Sequence, residues 1–286
     1  MQINKDNLTI VIVTIKSENV IKQCLNSIDK DIKKIIIENS SDTNLIEELN
    51  KEYTNIECFA TGENFGMGKA NNIGIQKSKT RYVMVLNPDT VLKKDTLSEL
   101  FKYSDELDFA ILSPISDDKN YPNYKIIKNQ ITNNKNLLEV DFVDGYSMIL
   151  DKEKFNQNYF DENIFMYLEN DDLCFRAKKN RQKIYILKTS LINHLGAKTV
   201  NEKFSSELEL SRNWHWSWSK FYYQKKHSGF FIALINGLPL FIRSCTKYFF
   251  YVLIKDKFKS KIYFNRASGF YNSLMNKESW YRPRLD

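Results

Sequence analysis

Apolar residues arrive in short runs separated by helical spacings over the first hundred positions. Leu8 to Val13 is an apolar, β-branched run. Val20, Ile21, Cys24, Leu25 and Ile28 then recur three and four apart, and Ile35-Ile36-Ile37 is a second apolar run. Leu45, Ile46 and Leu49 mark a further helix, Asn55-Ile56-Glu57-Cys58-Phe59 a short strand, and Ala70, Ile73 and Ile75 a helix that leads into Tyr82-Val83-Met84-Val85-Leu86. Period-two and unbroken apolar runs predict strands, and the three-to-four spacing predicts helices. Strands alternating with helices predict parallel pairing with right-handed crossovers, so the segments that follow the strands converge on one edge of the sheet.

Those segments are polar. They are Thr14-Ile15-Lys16-Ser17-Glu18, Glu38-Asn39-Ser40-Ser41-Asp42, and the run from Gly62 to Gly74, which contains Asn64, Gly66, Lys69, Asn71 and Asn72. Glycines permit close backbone approach to a ligand, and a helix start favours anions. The Gly62–Gly74 loop is neither the Rossmann dinucleotide fingerprint, which follows a first strand, nor a Walker loop, which closes on Gly-Lys-Ser/Thr. The fourth strand ends at Asn87-Pro88-Asp89. Pro88 has no N–H to continue a ladder, so Asp89 is presented at the carboxyl end of a strand. A carboxylate there suits a hard cation held against a diphosphate.

Five blocks in order resemble family 2 of the inverting glycosyltransferases, in particular its rhamnosyltransferase-like and galactofuranosyltransferase-like branch. They are Val13-Thr14-Ile15-Lys16, Ile37-Glu38-Asn39, Asn64 to Gly74, Leu86-Asn87-Pro88-Asp89, and Phe165-Met166-Tyr167-Leu168-Glu169-Asn170-Asp171-Asp172-Leu173-Cys174-Phe175-Arg176, with Ile192-Asn193-His194 after the last. The resemblance covers about residues 8 to 200. It implies a GT-A fold (a Rossmann-like, mixed, mostly parallel sheet flanked by helices), a nucleotide-diphosphate sugar as donor, with dTDP- or UDP-sugars favoured, and a divalent cation, Mg²⁺ or Mn²⁺. It implies donor contacts from Thr14, Ile15, Ser17, Glu18, Glu38, Asn39, Ser40, Asn64, Gly66, Lys69, Asn71, Asn72 and Asn87. Glu38 would stand near the nucleobase, where an acidic side chain accepts from a ring N–H. Asp89 would hold the metal, with His194 as a second ligand, and Asp144-Gly145 would border the sugar and acceptor.

An inverting transfer needs a carboxylate to take the acceptor's hydroxyl proton. The resemblance offers Glu169, followed by Asp172 and Asp171. Related chains often carry an acid at the position held here by Asn170, which accepts no proton. Residue chemistry alone also allows Asp172 and Arg176 to pair one helical turn apart, and acids at a helix start to complement its dipole.

The chain has 286 residues, a formal net charge of +7 and four cysteines at 24, 58, 174 and 245. Length predicts one catalytic domain, residues 1–204, and an extension, residues 205–286. No apolar signal segment opens the sequence, and the cysteine spacing makes no disulfide or metal framework, which predicts reduced thiols and a cytoplasmic location. The extension predicts a helix from Glu207 to His227 rich in Trp and Tyr. Apolar runs then cover Phe230–Ile242 and Tyr248–Ile254, with Arg243 and Lys247 between them. Each run alone is shorter than the roughly 20 residues that span a bilayer. Broken apolar runs flanked by Trp, Tyr and Lys predict helices lying on the inner face of the cytoplasmic membrane, and an oligomerisation surface is the alternative. Nucleic-acid binding is excluded because no reader motif accompanies the basic residues. The expected activity is sugar transfer to a lipid-linked or glycan acceptor in cell-surface polysaccharide biosynthesis. The competing class is a non-catalytic nucleotide-sugar-binding subunit that keeps the fold, and Asn170 favours it. A nucleotidyltransferase would need a basic glycine-rich loop directly after the first strand, and residues 14–18 are not one.

Overall fold

The computed structural model describes residues 2–105, 107–127, 134–196 and 204–284. They divide into two compact units, one formed by 1–161 and 170–200 and the other by 162–169 and 201–286. The first unit contains the alternating elements: β1 (Leu8–Thr14), α1 (Glu18–Asn26), β2 (Lys33–Glu38), α2 (Asn44–Glu52), β3 (Ile56–Ala60), α3 (Gly66–Lys77) and β4 (Tyr82–Leu86). After them come β5 (Thr90–Leu92), α4 (Thr96–Ser104), β6 (Ile111–Ser116), β7 (Tyr124–Lys125), β8 (Leu137–Glu139), β9 (Phe142–Val143), β10 (Ser147–Asp151), α5 (Glu169–Lys179) and β11 (Ile184–His194).

The main sheet has the order β3-β2-β1-β4-β10-β6-β11-β5, and β8 pairs the far side of β11. Strands β1 to β4 are mutually parallel, β10 runs antiparallel between β4 and β6, and β11 is parallel to β6. The apolar pattern predicts the parallel pairing of β1 to β4, and the mixed, mostly parallel sheet flanked by helices is the one that the family resemblance implies. Alternation along each strand builds two cores. Ile10, Ile12, Ile36 and Met84 face one side and pack with α1, α2 and α4 through Ile21, Leu25, Leu49 and Leu100. Val11, Val13, Ile35, Ile37, Val83 and Val85 face the other and pack with α3 and α5 through Ala70, Ile75, Leu173 and Ala177. Helix α3 lies so close to β1 that a Cβ on Gly74 would come within 2.3 Å of Val11 Cγ1. The glycine-rich helix start that follows β3 therefore serves helix–sheet approach as well as its loop. The sequence flags residues 117–138 only as a surface excursion. Part of it is structured, since Tyr124 and Lys125 of β7 pair with Val143 and Phe142 of β9.

The second unit consists of α6 (Ser205–Ser228), α7 (Phe230–Leu253) and α8 (Lys257–Leu274), the segment 162–169 and the chain after α8. The sequence places its break after residue 204, whereas 162–169 also belongs with these helices. Ser219 Oγ donates to the Met166 carbonyl at 2.7 Å, and the Phe165 ring stacks on His215 at 4.5 Å. His215 is fully buried, with Nδ1 3.0 Å from Ser279 Oγ and Nε2 2.8 Å from the Tyr281 carbonyl, and burial pushes its pKa down to about 4.

The apolar runs either side of Arg243 and Lys247 form one continuous helix, not two pieces. Arg243 and Lys247 stand one turn apart, and Lys247 Nζ donates to Tyr263 Oη of α8 at 3.0 Å, so polar residues on one helical face meet a partner helix. By length and composition alone, α7 is the one helix among the described residues long and apolar enough to cross a membrane.

Gly269 of α8 sets the approach to α6, because a Cβ there would stand 2.1 Å from the Trp214 carbonyl oxygen. Alanine in a helix interior ordinarily stabilises relative to glycine by up to about 1 kcal/mol. Here the sign reverses, since backbone does not yield as a flexible side chain does, and overpacking costs roughly 1–3 kcal/mol. Gly269→Ala is expected to lower the urea midpoint, whereas an unchanged or higher midpoint would show that the two helices separate freely.

Candidate functional site

The carboxyl ends of β1, β2 and β4 lie side by side in the sheet, so their loops converge. Thr14 ends β1 and Glu38 ends β2, opposite each other in the parallel register. Glu38 is buried, and each carboxylate oxygen accepts a hydroxyl: Thr14 Oγ1 at 2.7 Å and Ser40 Oγ at 2.6 Å. Burial raises its pKa, and the two hydroxyls oppose the rise. Asn39 ties this corner to the start of α3. Its amide nitrogen donates to Asn64 Oδ1 at 3.1 Å and to the Gly66 carbonyl at 3.3 Å, and its oxygen accepts from the Phe65 N–H at 2.9 Å. Asn64 Oδ1 also takes the Gly66 N–H at 3.0 Å, and Gly66 has φ +79°, a left-handed backbone that favours glycine. Lys69 lies over the Phe65 ring at 4.1 Å. Asn71 donates to the Met67 carbonyl at 2.9 Å and leaves a buried Oδ1 without a partner. Ser17 holds the β1 loop closed, accepting from the Ile15 N–H at 3.2 Å and donating to the Ile15 carbonyl at 3.1 Å, while Glu18 is exposed at the start of α1.

Asn72, expected among the donor contacts, turns its side chain to the segment after β10. Its amide clamps the Phe160 backbone, accepting from the N–H at 3.0 Å and donating to the carbonyl at 2.9 Å. Both ends of the side chain are engaged in anchoring the segment after β10.

At the end of β4 the chain turns through Asn87-Pro88-Asp89, closed by a Thr90 N–H bond to the Asn87 carbonyl at 3.1 Å. Proline at the second turn position presets the φ that such a turn needs. β5 then runs antiparallel to the end of β11, with Thr90 opposite His194, and the Leu195 N–H donates to the Asp89 carbonyl at 2.9 Å. That pairing brings His194 Nε2 to 3.3 Å from Asp89 Oδ1. The imidazole is held from its flat side by Tyr146, whose ring stacks at 4.1 Å and 6°. Asn87 presents a buried Oδ1 with no hydrogen-bond partner. A carboxylate and an imidazole fit a divalent cation, and the imidazole favours Mn²⁺ over Mg²⁺. Among the described residues no group of three His, Cys, Asp or Glu side chains forms a cation cage.

Around this point lie two further carboxylates. Burial raises the pKa of Asp144, with the charges of Lys125 and His194 opposing the rise and that of Asp171 adding to it. Burial also raises that of Asp171, 3.7 Å from Lys125 Nζ, and the ammonium offsets only part of the shift. Gly145 lets the first turn of α5 close in, since a Cβ on it would meet Asn170 Cβ at 3.3 Å. Asn170 donates from Nδ2 to the Val143 carbonyl at 2.9 Å. An ionised acid at that position has no proton to give this carbonyl, so asparagine is what the contact requires.

Asp172, expected behind Glu169 as a base, makes the helical-turn pair with Arg176 that residue chemistry also allows. It is fully buried, and its carboxylate takes Arg176 Nε at 2.8 Å. The same guanidinium donates to the carbonyls of Asn158, at 2.8 Å, and Tyr159. This pair fastens α5 to the chain before it and leaves Asp172 a structural acid. Glu169 opens α5 directly after Tyr167 and Leu168, whose φ values are +70° and +68°. Consecutive left-handed residues without glycine cost roughly 1–2 kcal/mol each, and such strain collects at functional positions.

Tyr146 and Lys125 stand against His194 and Asp171, and the sequence pattern does not reveal either contact. Tyr146 follows Asp144-Gly145 with no motif of its own. Lys125 reaches Asp171 only because β7 pairs with β9.

The profile of the family described as "Glycosyl transferase family 2" matches residues 9–175. The low-salt glycan biosynthesis hexosyltransferase Agl10 of Haloferax volcanii is 27% identical over 225 residues, covering 72% of each chain. Rhamnosyltransferase WbbL of Escherichia coli is 28% identical over 199 residues, 58% of this chain and 75% of that one. Mannosyltransferase PcManGT from Pyrobaculum calidifontis, solved with GDP-mannose and Mn²⁺, superposes with a TM-score of 0.59 at 10% identity, over 95% of this chain and 88% of its own, which shows a shared GT-A fold. A family profile that matches more than half of the sequence, over the sheet and loops just described, makes this chain a member of glycosyl transferase family 2.

Proposed function

We propose that the chain inverts the anomeric centre as it moves a sugar from a dTDP- or UDP-linked donor onto a hydroxyl of a lipid-linked or glycan acceptor. The setting would be cell-surface polysaccharide assembly at the inner face of the cytoplasmic membrane. The observation that carries the reading is the meeting of Asp89 and His194 at the carboxyl end of β4, beside the buried corner of Thr14, Glu38 and Asn39. The activities of the two relatives, a hexosyltransferase of glycan biosynthesis and a rhamnosyltransferase, support the substrate class.

In this reading Glu38 accepts the imide N–H that uracil and thymine share, held in place by Thr14 and Ser40. Asn39 and Asn64 set the loop that approaches the donor, and Asn87 offers its unpaired oxygen. A divalent cation held by Asp89 and His194 would neutralise charge on the diphosphate as the anomeric carbon–oxygen bond breaks. The acceptor oxygen forms its bond to the anomeric carbon from the opposite face, the nucleoside diphosphate leaves with the electron pair, and a carboxylate takes the hydroxyl proton. Glu169 is the first choice for that base because it follows the strained Tyr167–Leu168 backbone. Asp171 is the second, because a raised pKa brings a carboxylate closer to useful basicity. The non-catalytic alternative loses its motive, since Asn170 has a packing reason to be asparagine.

Three outcomes follow. Calorimetric titration should show weak Mn²⁺ binding alone and tight binding with UDP or dTDP present, and Asp89→Ala should remove the difference. Equal manganese affinity with and without nucleotide would contradict the shared site. In a screen of nucleotide sugars that reads released nucleoside diphosphate, Glu169→Gln should slow transfer by roughly 100-fold or more while donor binding persists. Near-normal turnover of Glu169→Gln beside an inactive Asp171→Asn would move the base to Asp171. The third outcome concerns stability. Because the folded-state pKa of Asp171 is raised, its contribution is complete below the ordinary carboxylate range and is lost as pH rises through the folded value. Asp171→Asn should therefore melt higher than the parent protein at about pH 7 and alike at about pH 3. A lower melting temperature at neutral pH would show that the ion pair with Lys125 dominates.

A further inference from the structure

The second unit carries a cavity of about 210 Å³ among its three helices, and each helix contributes a cation: Lys220 from α6, Arg243 from α7 and Arg266 from α8. No carboxylate lines it, and none of these three residues makes an ion pair among the described residues. Tyr263 also lines it. A hydrogen bond from Lys247 pulls the Tyr263 phenol below its ordinary pKa, with the charges of Lys247, Arg266 and Arg243 adding to the effect. Gln224, on the wall, has a buried Oε1 with no partner, and an amide turned end for end offers N–H donors to the same space. Arg266 Nε donates to Asn213 Oδ1 at 2.5 Å and its guanidinium lies over the Tyr263 ring, so an anion here would meet the N–H donors left on three cations from three helices. Arginine pairs bidentately with phosphate.

Ser217, Ser244 and apolar side chains complete the walls, and Gly237 makes room for them: a Cβ there would stand 2.4 Å from the Phe270 ring. Small residues Ala233, Gly237 and Ser244 turn one face of α7 inward. The opposite face carries Phe231, Ile235, Leu238, Ile242, Phe249 and Leu253, spaced three, four and seven apart, and Phe231, Ile235 and Leu253 are each more than 70% exposed. Leu240 and Arg243 line the cavity and are also exposed on α7, so the cavity opens at the helix surface. The cations line the inward side of α7 and its exposed apolar stripe covers the other, with Arg243 exposed between them, a distribution that suits an amphiphile with an anionic head.

We propose that this cavity binds the phosphate headgroup of an anionic lipid while the apolar stripe of α7 lies in the acyl region of the membrane surface. The occupant is a membrane phospholipid, and the site is separate from the one proposed for sugar transfer. Charge complementarity selects it: an apolar helix on a second copy of the chain would leave Lys220, Arg243 and Arg266 unmatched.

The test uses the full chain and phosphatidylcholine vesicles that contain or lack phosphatidic acid. The protein should co-sediment with the phosphatidic acid vesicles, and added salt should weaken binding only in part because apolar burial persists under screening. Arg243→Gln with Arg266→Gln should lower the affinity about tenfold or more. Lys257→Gln with Lys259→Gln, on the exposed surface of α8, should lower it less. Donor binding by calorimetry should be unchanged in both. Arg243→Lys with Arg266→Lys keeps the charge and should restore part of the loss.

A measurement on the unaltered protein guards against a variant that does not fold. Phosphatidic acid vesicles should protect Arg243 and Arg266 from phenylglyoxal, read by mass spectrometry, and neutral vesicles should not. Inorganic phosphate at matched phosphate concentration should protect much less. Full modification of both arginines in vesicle-bound protein, or equal protection by inorganic phosphate, would overturn the proposal. So would a stable oligomer that binds neither type of vesicle, since the stripe would then be an interface between copies.

Discussion

The ladder along β4 stops at Pro88 because proline has no N–H to donate, and the placement of the site rests on that stop. The chain turns through Asn87–Thr90 instead of continuing, and β5 lays itself antiparallel along the end of β11. Two residues 105 positions apart in sequence thereby become neighbours, Asp89 on the turn and His194 at the strand end. Tyr146 joins them because β10 runs antiparallel to β4, which places its preceding turn beside Asn87, and the Asn87 N–H donates to the Tyr146 carbonyl at 2.9 Å. A residue able to continue the ladder at position 88 would lengthen β4 and carry Asp89 away from His194.

The polar residues around this turn fall into two energetic kinds. Asp172, Asn72 and Asn170 are bonded to backbone or guanidinium, and they hold α5 and the segment after β10 in place. Asp144, Asp171 and Glu38 are acids whose ionisation burial opposes. Structural acids with this burial are normally matched by a cation, as Asp172 is by Arg176. Those left under-compensated stand at the converging loops, which is where a cationic or hydrogen-bond-donating ligand would relieve them. The left-handed pair Tyr167–Leu168 is strain of the same economy, stored in backbone rather than in charge.

Much of the first unit was legible because its physics is local. Strands β1 to β4 and helices α1 to α3 follow from apolar spacing, and the break at Asn87-Pro88-Asp89 follows from proline chemistry. The role of position 170 was not legible, because an amide's value depends on the Val143 carbonyl that it meets. Asn72 lay within a glycine-rich motif but serves Phe160, a partner 88 residues on. Asp172 was readable either as an acid for catalysis or as one half of a pair with Arg176, and only burial separates these. Lys125 and Tyr146 depend on strand pairings of two to five residues, too short to leave a pattern. In the second unit the sequence marks Arg243 and Lys247 as interruptions, yet helix α7 runs through them because α8 supplies a partner for their face.

We propose that a divalent cation is held between the donor diphosphate and the pair Asp89–His194. Pulsed electron paramagnetic resonance of Mn²⁺ bound to the full chain with UDP reads this directly, since magnetic coupling reports which nuclei touch the metal. The predicted spectrum shows phosphorus coupling from the diphosphate together with nitrogen coupling from one imidazole, and the nitrogen signal disappears in His194→Gln. Phosphorus coupling without any imidazole nitrogen in the unaltered protein would contradict the account, because it would place the cation on the nucleotide and away from His194.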